Sequence, residues 1–352
     1  LHIGYGIPDF GTEGWDDDLT GDPKLDEYYL TERLRSVVKW INGNTSKYNI
    51  RFVAVLGDIT DTAEKSELLK AKEILDGLKV PYFPIIGNHD VCPYIQTPGH
   101  NPDYRVRYGN QGEISRRYFS EIFNSEFFEN QSNKLKLEEI NMQSENLNDP
   151  LNYAFTYNNV KFVFLDFASD EYASFYHSGI KGEANLPNET RVWLNKQVSV
   201  DTTTVLLSHY PLASWVSVPP YFFLNPLLIE DPSLIVGLKG GAFSPSELSA
   251  ISSALERKNV RVNFAGHIHS CGIMLGLFPS HFSANRVYGY ICGAPVITTE
   301  AIMYESPEVV RIVQIEEGKV TNYDILEPEE SVITSAINPY ITFRGCPTIT
   351  QQ

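Results

Sequence analysis

The stretch Arg51-Phe52-Val53-Ala54-Val55-Leu56-Gly57-Asp58-Ile59-Thr60-Asp61 decides how the chain is read. An apolar run too short for a helix passes directly into Gly57 and a carboxylate-bearing turn, which is the pattern of a buried strand with polar residues at its end. Similar runs recur at 160–166 (VKFVFLD), 203–207 (TTVLL) and 261–265 (RVNFA). The spacing predicts helices over 25–42 and 63–78, and Ser244-Pro245-Ser246-Glu247 reads as the capped start of another. Strands alternating with helices indicate sheets covered by helices, with ligand sites at the carboxyl ends of strands. The last third, 288–300, 308–315 and 319–325 with a turn at Glu317-Gly318, reads as a meander in a second, antiparallel-rich sheet.

Composition narrows the class. The chain has 352 residues, 42% hydrophobic and 12% aromatic, with a net charge of −16. It can bury a full core, and its acidity disfavours nucleic acid or anionic lipid as the main partner. No apolar run reaches the ~18 residues of a membrane span. The four cysteines, Cys92, Cys271, Cys292 and Cys346, show no CxxC spacing, so neither a disulfide scaffold nor a zinc ribbon is indicated. Sequons beginning at Asn44, Asn130 and Asn188 lean toward a secreted or lumenal chain.

Four polar clusters follow strand-like runs: Gly57-Asp58-Ile59-Thr60-Asp61, Gly87-Asn88-His89-Asp90, Ser208-His209 and Gly266-His267-Ile268-His269. Taken singly, Asp58 and Asp61 read as turn formers and His209 as a core histidine. His267-x-His269 is stronger, because in extended backbone residues two apart face the same side. A carboxylate, an amide oxygen and several imidazoles at one sheet edge form a ligand set for borderline divalent metals such as Mn, Fe or Zn.

In this order, GDxxD, GNHD, a strand-terminal His and GHxH resemble the calcineurin-like metallophosphoesterase superfamily. The resemblance implies an α/β fold, a four-layer α/β/β/α sandwich of two mixed sheets, over residues 1–330. Insertions are expected at about 91–150 and 210–243, with 331–352 as a C-terminal extension. The family's opening Asp-x-His motif is matched in its last part by Leu1-His2-Ile3-Gly4, so its Asp is expected immediately before Leu1, on a central strand.

Carried onto this sequence, the resemblance implies two divalent or trivalent transition metals about 3 to 4 Å apart. His2, Asp58 and His269 would hold the first, and Asp58 would bridge to a second held by Asn88, His209 and His267. A hydroxide between them would attack the phosphorus. His89 resembles the family's general acid, Asp61 the residue that orients it, and Asp90 a support behind the ligands. The Arg of the protein Ser/Thr phosphatase pattern GDxVDRG is absent, and Asp90 stands where those enzymes have Glu. Phosphodiesters are therefore favoured over phosphomonoesters and phosphoproteins, with Tyr172, Tyr210 and Trp215 as candidate substrate contacts. An acidic exterior suits a small or neutral-bodied phosphate ester. The alternative is a catalytically weak relative that acts as a binding or scaffold module.

Overall fold

The computed structural model describes residues 1–3, 29–61, 63–91, 111–168, 184, 186–212, 243, 245–267, 287–299 and 310–326. Its elements, in chain order, begin with α1 (Tyr29–Tyr48), β1 (Val53–Val55), α2 (Lys65–Leu75) and β2 (Tyr82–Pro84). Next come α3 (Gln111–Ile122), α4 (Ser125–Leu135), β3 (Ile140–Met142), β4 (Tyr153–Tyr157) and β5 (Val160–Leu165). The chain continues through α5 (Asn188–Gln197), β6 (Thr203–Ser208), α6 (Pro245–Leu255) and β7 (Val260–Ala265). It closes with β8 (Val287–Ile291), β9 (Ala294–Thr298), β10 (Val310–Glu316) and β11 (Lys319–Leu326).

Seven strands form one mixed sheet in the order β3-β4-β5-β6-β7-β9-β8. The inner four, β5, β6, β7 and β9, run parallel, and the antiparallel strands lie at the edges. Both faces are buried, which explains why the inner strands read as nearly continuous apolar runs. Phe162, Phe164, Val205, Leu207, Val262 and Phe264 face one core cluster, while Val163, Leu165 and Leu206 face the other. The second cluster is closed by Trp193 and Leu194 of α5 and by Leu248, Ile251 and Leu255 of α6.

The first cluster is closed by a second β layer, β1 parallel to β2 and β10 antiparallel to β11, backed by α1 and α2. On α1 the buried residues Leu34, Val37, Val38 and Ile41 recur at i, i+3, i+4 and i+7, one apolar stripe of a helix. The result is the expected α/β/β/α layering. One expectation needs correction: the 288–300 segment does not join the closing meander. Its β8–β9 hairpin extends the large sheet through β7, where the consecutive residues Val296 and Ile297 enter cores on opposite faces. Among the described residues, only β10 and β11 form a separate antiparallel pair.

Within the 91–150 stretch lie α3 and α4; Phe119 of α3, Phe123 of their connection and Phe127 and Phe128 of α4 enter the first core. Arg116 of α3 is buried against the Asp166 carboxylate and donates to the Ala168 carbonyl at 2.7 Å, tying this helical pair to the end of β5. The 210–243 stretch beyond Leu212 lies, apart from Phe243, outside the described residues, as do 331–352 and the cap at Ser244. No helix among the described residues is long and apolar enough to cross a membrane.

Candidate metal centre

Parallel strands in both β layers deliver their carboxyl ends to one place. β1 leads to Asp58, β2 to Asn88 and His89, β6 to His209 and β7 to His267. His2 arrives beside them because Ile3 forms a parallel bridge with Thr60. Glycine makes the approach possible. Gly57 adopts φ +81°, and a Cβ at Gly87 would stand 2.3 Å from both the backbone N and the Oδ1 of Asp58. Asp58 itself lies in the left-handed region at φ 48°, as do His2 at 54° and His267 at 60°. Such backbone persists only where its surroundings impose it, and it clusters at functional sites.

Asp58 is the hub. Its Oδ2 lies 3.4 Å from His2 Nε2 and 3.2 Å from His209 Nε2, while its Oδ1 accepts the His89 backbone N–H at 3.0 Å. Asn88 Oδ1 lies 3.0 Å from His209 Nε2 and 3.1 Å from His267 Nδ1. Burial works against the Asp58 charge, but the imidazoles of His209, His89 and His2 outweigh it and hold the carboxyl well below its usual range. Burial likewise pulls His209 down. The Asp58 carboxylate and the Leu56 carbonyl outweigh that and leave its imidazole above the ordinary value.

Asp90 closes the back of the centre. Its carboxylate accepts the Thr60 N–H and hydroxyl, each at 2.9 Å, and the Gly87 N–H at 2.8 Å, locking the β1 and β2 loops together. Burial first, and then the Asp58 charge, push its pKa up to about 6 against those hydrogen bonds. Asp61 reaches both His2 and His89. Its carboxylate lies 3.1 Å from His2 Nδ1 and 3.7 Å from His89 Nδ1, and it is the Asp61 backbone carbonyl that accepts His89 Nδ1–H at 2.7 Å. The His2 ring, packed edge-on to His89 with centroids 4.5 Å apart, occupies the position beside the carboxylate.

Tyr210 packs beside the imidazoles. It is fully buried, its ring against His267 at 4.6 Å and His209 at 5.1 Å, so its side chain walls the imidazoles from behind. His269, Tyr172 and Trp215 lie outside the described residues. Sequence reasoning overlooked Thr60, whose hydroxyl reaches both Asp90 and the His89 carbonyl, and Asn263, fully buried on β7. The Asn263 amide donates to Ser208 Oγ at 2.9 Å and its oxygen accepts the Leu212 N–H at 3.1 Å, bracketing His209. A polar residue in the otherwise apolar run RVNFA was the available signal.

Residues 19–271 match the family described as calcineurin-like phosphoesterase. The chain belongs to that family. No curated protein matches it. Among solved structures it is similar to "GAP50 the anchor in the inner membrane complex of Plasmodium", at 10% identity over 85% of each chain with a TM-score of 0.35, a likeness too slight to carry an argument.

Calcineurin-like phosphoesterases hold divalent metals, and the donor set of this member fits them. Two groups, His2 with Asp58 and His89, and Asp58 with His209 and His267, each bring their ligand atoms within 4.8 Å of one another. The hydrogen bonding agrees. His209 Nδ1 faces the Leu56 carbonyl at 2.8 Å and must carry its proton there. In the neutral imidazole, Nε2 then presents a lone pair to two further acceptors, Asp58 Oδ2 and Asn88 Oδ1. Converging acceptors of this kind are satisfied by a cation.

Proposed function

We propose that this phosphoesterase hydrolyses phosphate esters with two divalent transition metals, Mn, Fe or Zn, and that phosphodiesters are its preferred class over phosphomonoesters. The observation that carries the reading is the sharing of Asp58 between the two imidazole groups. His2 and Asp58, with His269, would hold one cation. Asp58, Asn88, His209 and His267 would hold the other. When bound, the pair supplies Lewis acidity toward the phosphoryl oxygens and an activated water as nucleophile.

The protein's own residues supply the rest. Asp61 fixes His2 by accepting its Nδ1–H, which leaves Nε2 as the donor toward a cation, and the Leu56 carbonyl does the same for His209. His89 is the most exposed imidazole of the first group, with its side chain 21% accessible. With Nδ1–H held by the Asp61 carbonyl, its Nε2–H protonates the leaving oxygen of the ester.

The test is metal content together with cleavage of bis-p-nitrophenyl phosphate and p-nitrophenyl phosphate in added Mn. We expect about two metals per chain, faster diester cleavage, and loss of a metal in the Asn88→Ala and His267→Ala variants. His89→Asn should retain the metals and lose about 10²- to 10⁴-fold in kcat, the range for a positioned proton donor. A protein that binds no transition metal and cleaves neither ester would instead be a binding or scaffold relative.

A further inference from the structure

β9 runs parallel to β7 with Thr298 beside Ala265, so the end of β9 lies against the turn that carries His267. That turn is held on two sides. Gly266 N–H donates to the His209 carbonyl at 3.0 Å, and the Ala265 carbonyl accepts the Thr299 N–H at 2.8 Å. The fit is close, since a Cβ at Gly266 would stand 2.8 Å from the Leu56 carbonyl oxygen. His267, next along the chain, has φ 60°, and left-handed backbone at a residue other than glycine persists only where its surroundings impose it. The end of β9 is therefore part of what brings His267 Nδ1 to 3.1 Å from Asn88 Oδ1.

That strand end is gripped in turn from the second β layer. Arg311, at the start of β10, donates its Nε–H to Thr299 Oγ1 and an Nη2–H to the Thr298 carbonyl, each at 3.0 Å. Two bonds from one planar fork onto consecutive residues fix orientation as well as position, which a single bond would not. The strand period explains how the side chain arrives there. Arg311 is two residues before Val313, which packs against the first core, so its aliphatic stem continues that apolar row and its polar head reaches the rim of the large sheet.

We propose that Arg311 is a positioning residue for His267. Its fork clamps Thr298 and Thr299, the Thr299 N–H clamps Ala265, and the turn from Ala265 to His267 is thereby kept in the one backbone arrangement that turns the ring toward Asn88. Arg311 acts through the backbone rather than on substrate or metal. Its effect on metal affinity rests on the two-metal reading above, whereas its effect on the turn does not.

Arg311→Ala is compared with Val313→Ala, which loosens the same strand but leaves the fork in place. In excess EDTA, amide exchange at Thr299 and Gly266 should quicken about tenfold or more in Arg311→Ala, and should stay near the parent rate in Val313→Ala. Mn titration then reads the consequence for the centre, and its sign is informative. Removing a positive charge near a cation site would by Coulomb interaction alone tighten Mn binding. Lost positioning instead weakens the second Mn by about 10- to 100-fold, the range for groups that orient a ligand from behind, with the first Mn little changed. Added guanidinium ion should recover part of that loss in Arg311→Ala, and Arg311→Lys, which keeps the charge without the fork, should recover less. Unchanged exchange at Thr299 and Gly266 in Arg311→Ala would overturn the proposal, as would Mn binding equal to or tighter than the parent's. If the parent chain binds no Mn and the exchange difference still appears, the two-metal reading fails while the clamp on the His267 turn is supported.

Discussion

At the residue scale, Asp90 and His209 show how the centre couples stability to chemistry. Asp90→Ala would strip the acceptor from two backbone N–H groups and one hydroxyl in a buried loop junction. At about 1–3 kcal/mol for a buried donor left unsatisfied, partly relieved by water, the variant should lose about 2–4 kcal/mol in urea unfolding. His209 carries a pH signature in the metal-stripped protein. Its folded pKa is raised above 6.5, so its contribution to stability is complete below 6.5 and is lost as pH rises through the raised value. Urea unfolding in EDTA should therefore give less stability at pH 8 than at pH 6, and His209→Gln should remove much of that difference. Added Mn should reverse the trend, since ligands bind metal deprotonated. The charged and hydrogen-bonding residues of this junction were legible in the sequence because Asp, Asn and His directly after apolar runs are unusual. The contact between Asp61 and His2 was not, because it depends on where the His2 ring packs.

At the element scale, the strands that announce themselves are the ones buried on both faces. β5, β6 and β7 appear as largely apolar runs, and α1 and α2 show the helical stripe. β2, with three residues, and the edge strand β3 are too short for any period to emerge. Their register comes from partners distant in sequence. Hairpin chemistry offered more than was used. Asn158-Asn159 and Cys292-Gly293 both adopt positive φ in two-residue connections, as Glu317-Gly318 does, which is the type I′ pattern. The helices α3 and α4 lie in a stretch that reads as an addition to the core, yet their aromatic residues are part of it. Phe127→Ala should accordingly cost about 3–5 kcal/mol in denaturant unfolding, as a buried aromatic truncation does, whereas Val200→Ser, 60% exposed, should change stability by less than about 0.5 kcal/mol.

At the scale of the whole molecule, the net charge is −16, so the approach of an anionic ester would be opposed by the exterior. Raising ionic strength from about 0.01 to 0.15 M shortens the Debye length from about 30 to 8 Å. Steady-state kinetics should then show kcat/KM rising, and rising more for a dianionic monoester than for a monoanionic diester. A fall with salt would mean that the local field at the site mouth is positive. The layering and the strand-end location of the centre were readable from the order of motifs, while the pairing of the β8–β9 hairpin with β7 was visible only in three dimensions. The centre's donors have a further consequence for how the protein is made. His267 meets Asn88 across 179 positions of sequence, and His2 meets Asp58 across 56. A ribosome must release nearly the entire catalytic region before these groups can assemble, and such distant closures are slow. Products truncated before β7, and early folding intermediates that lack it, therefore have no complete second set of candidate donors to offer a metal.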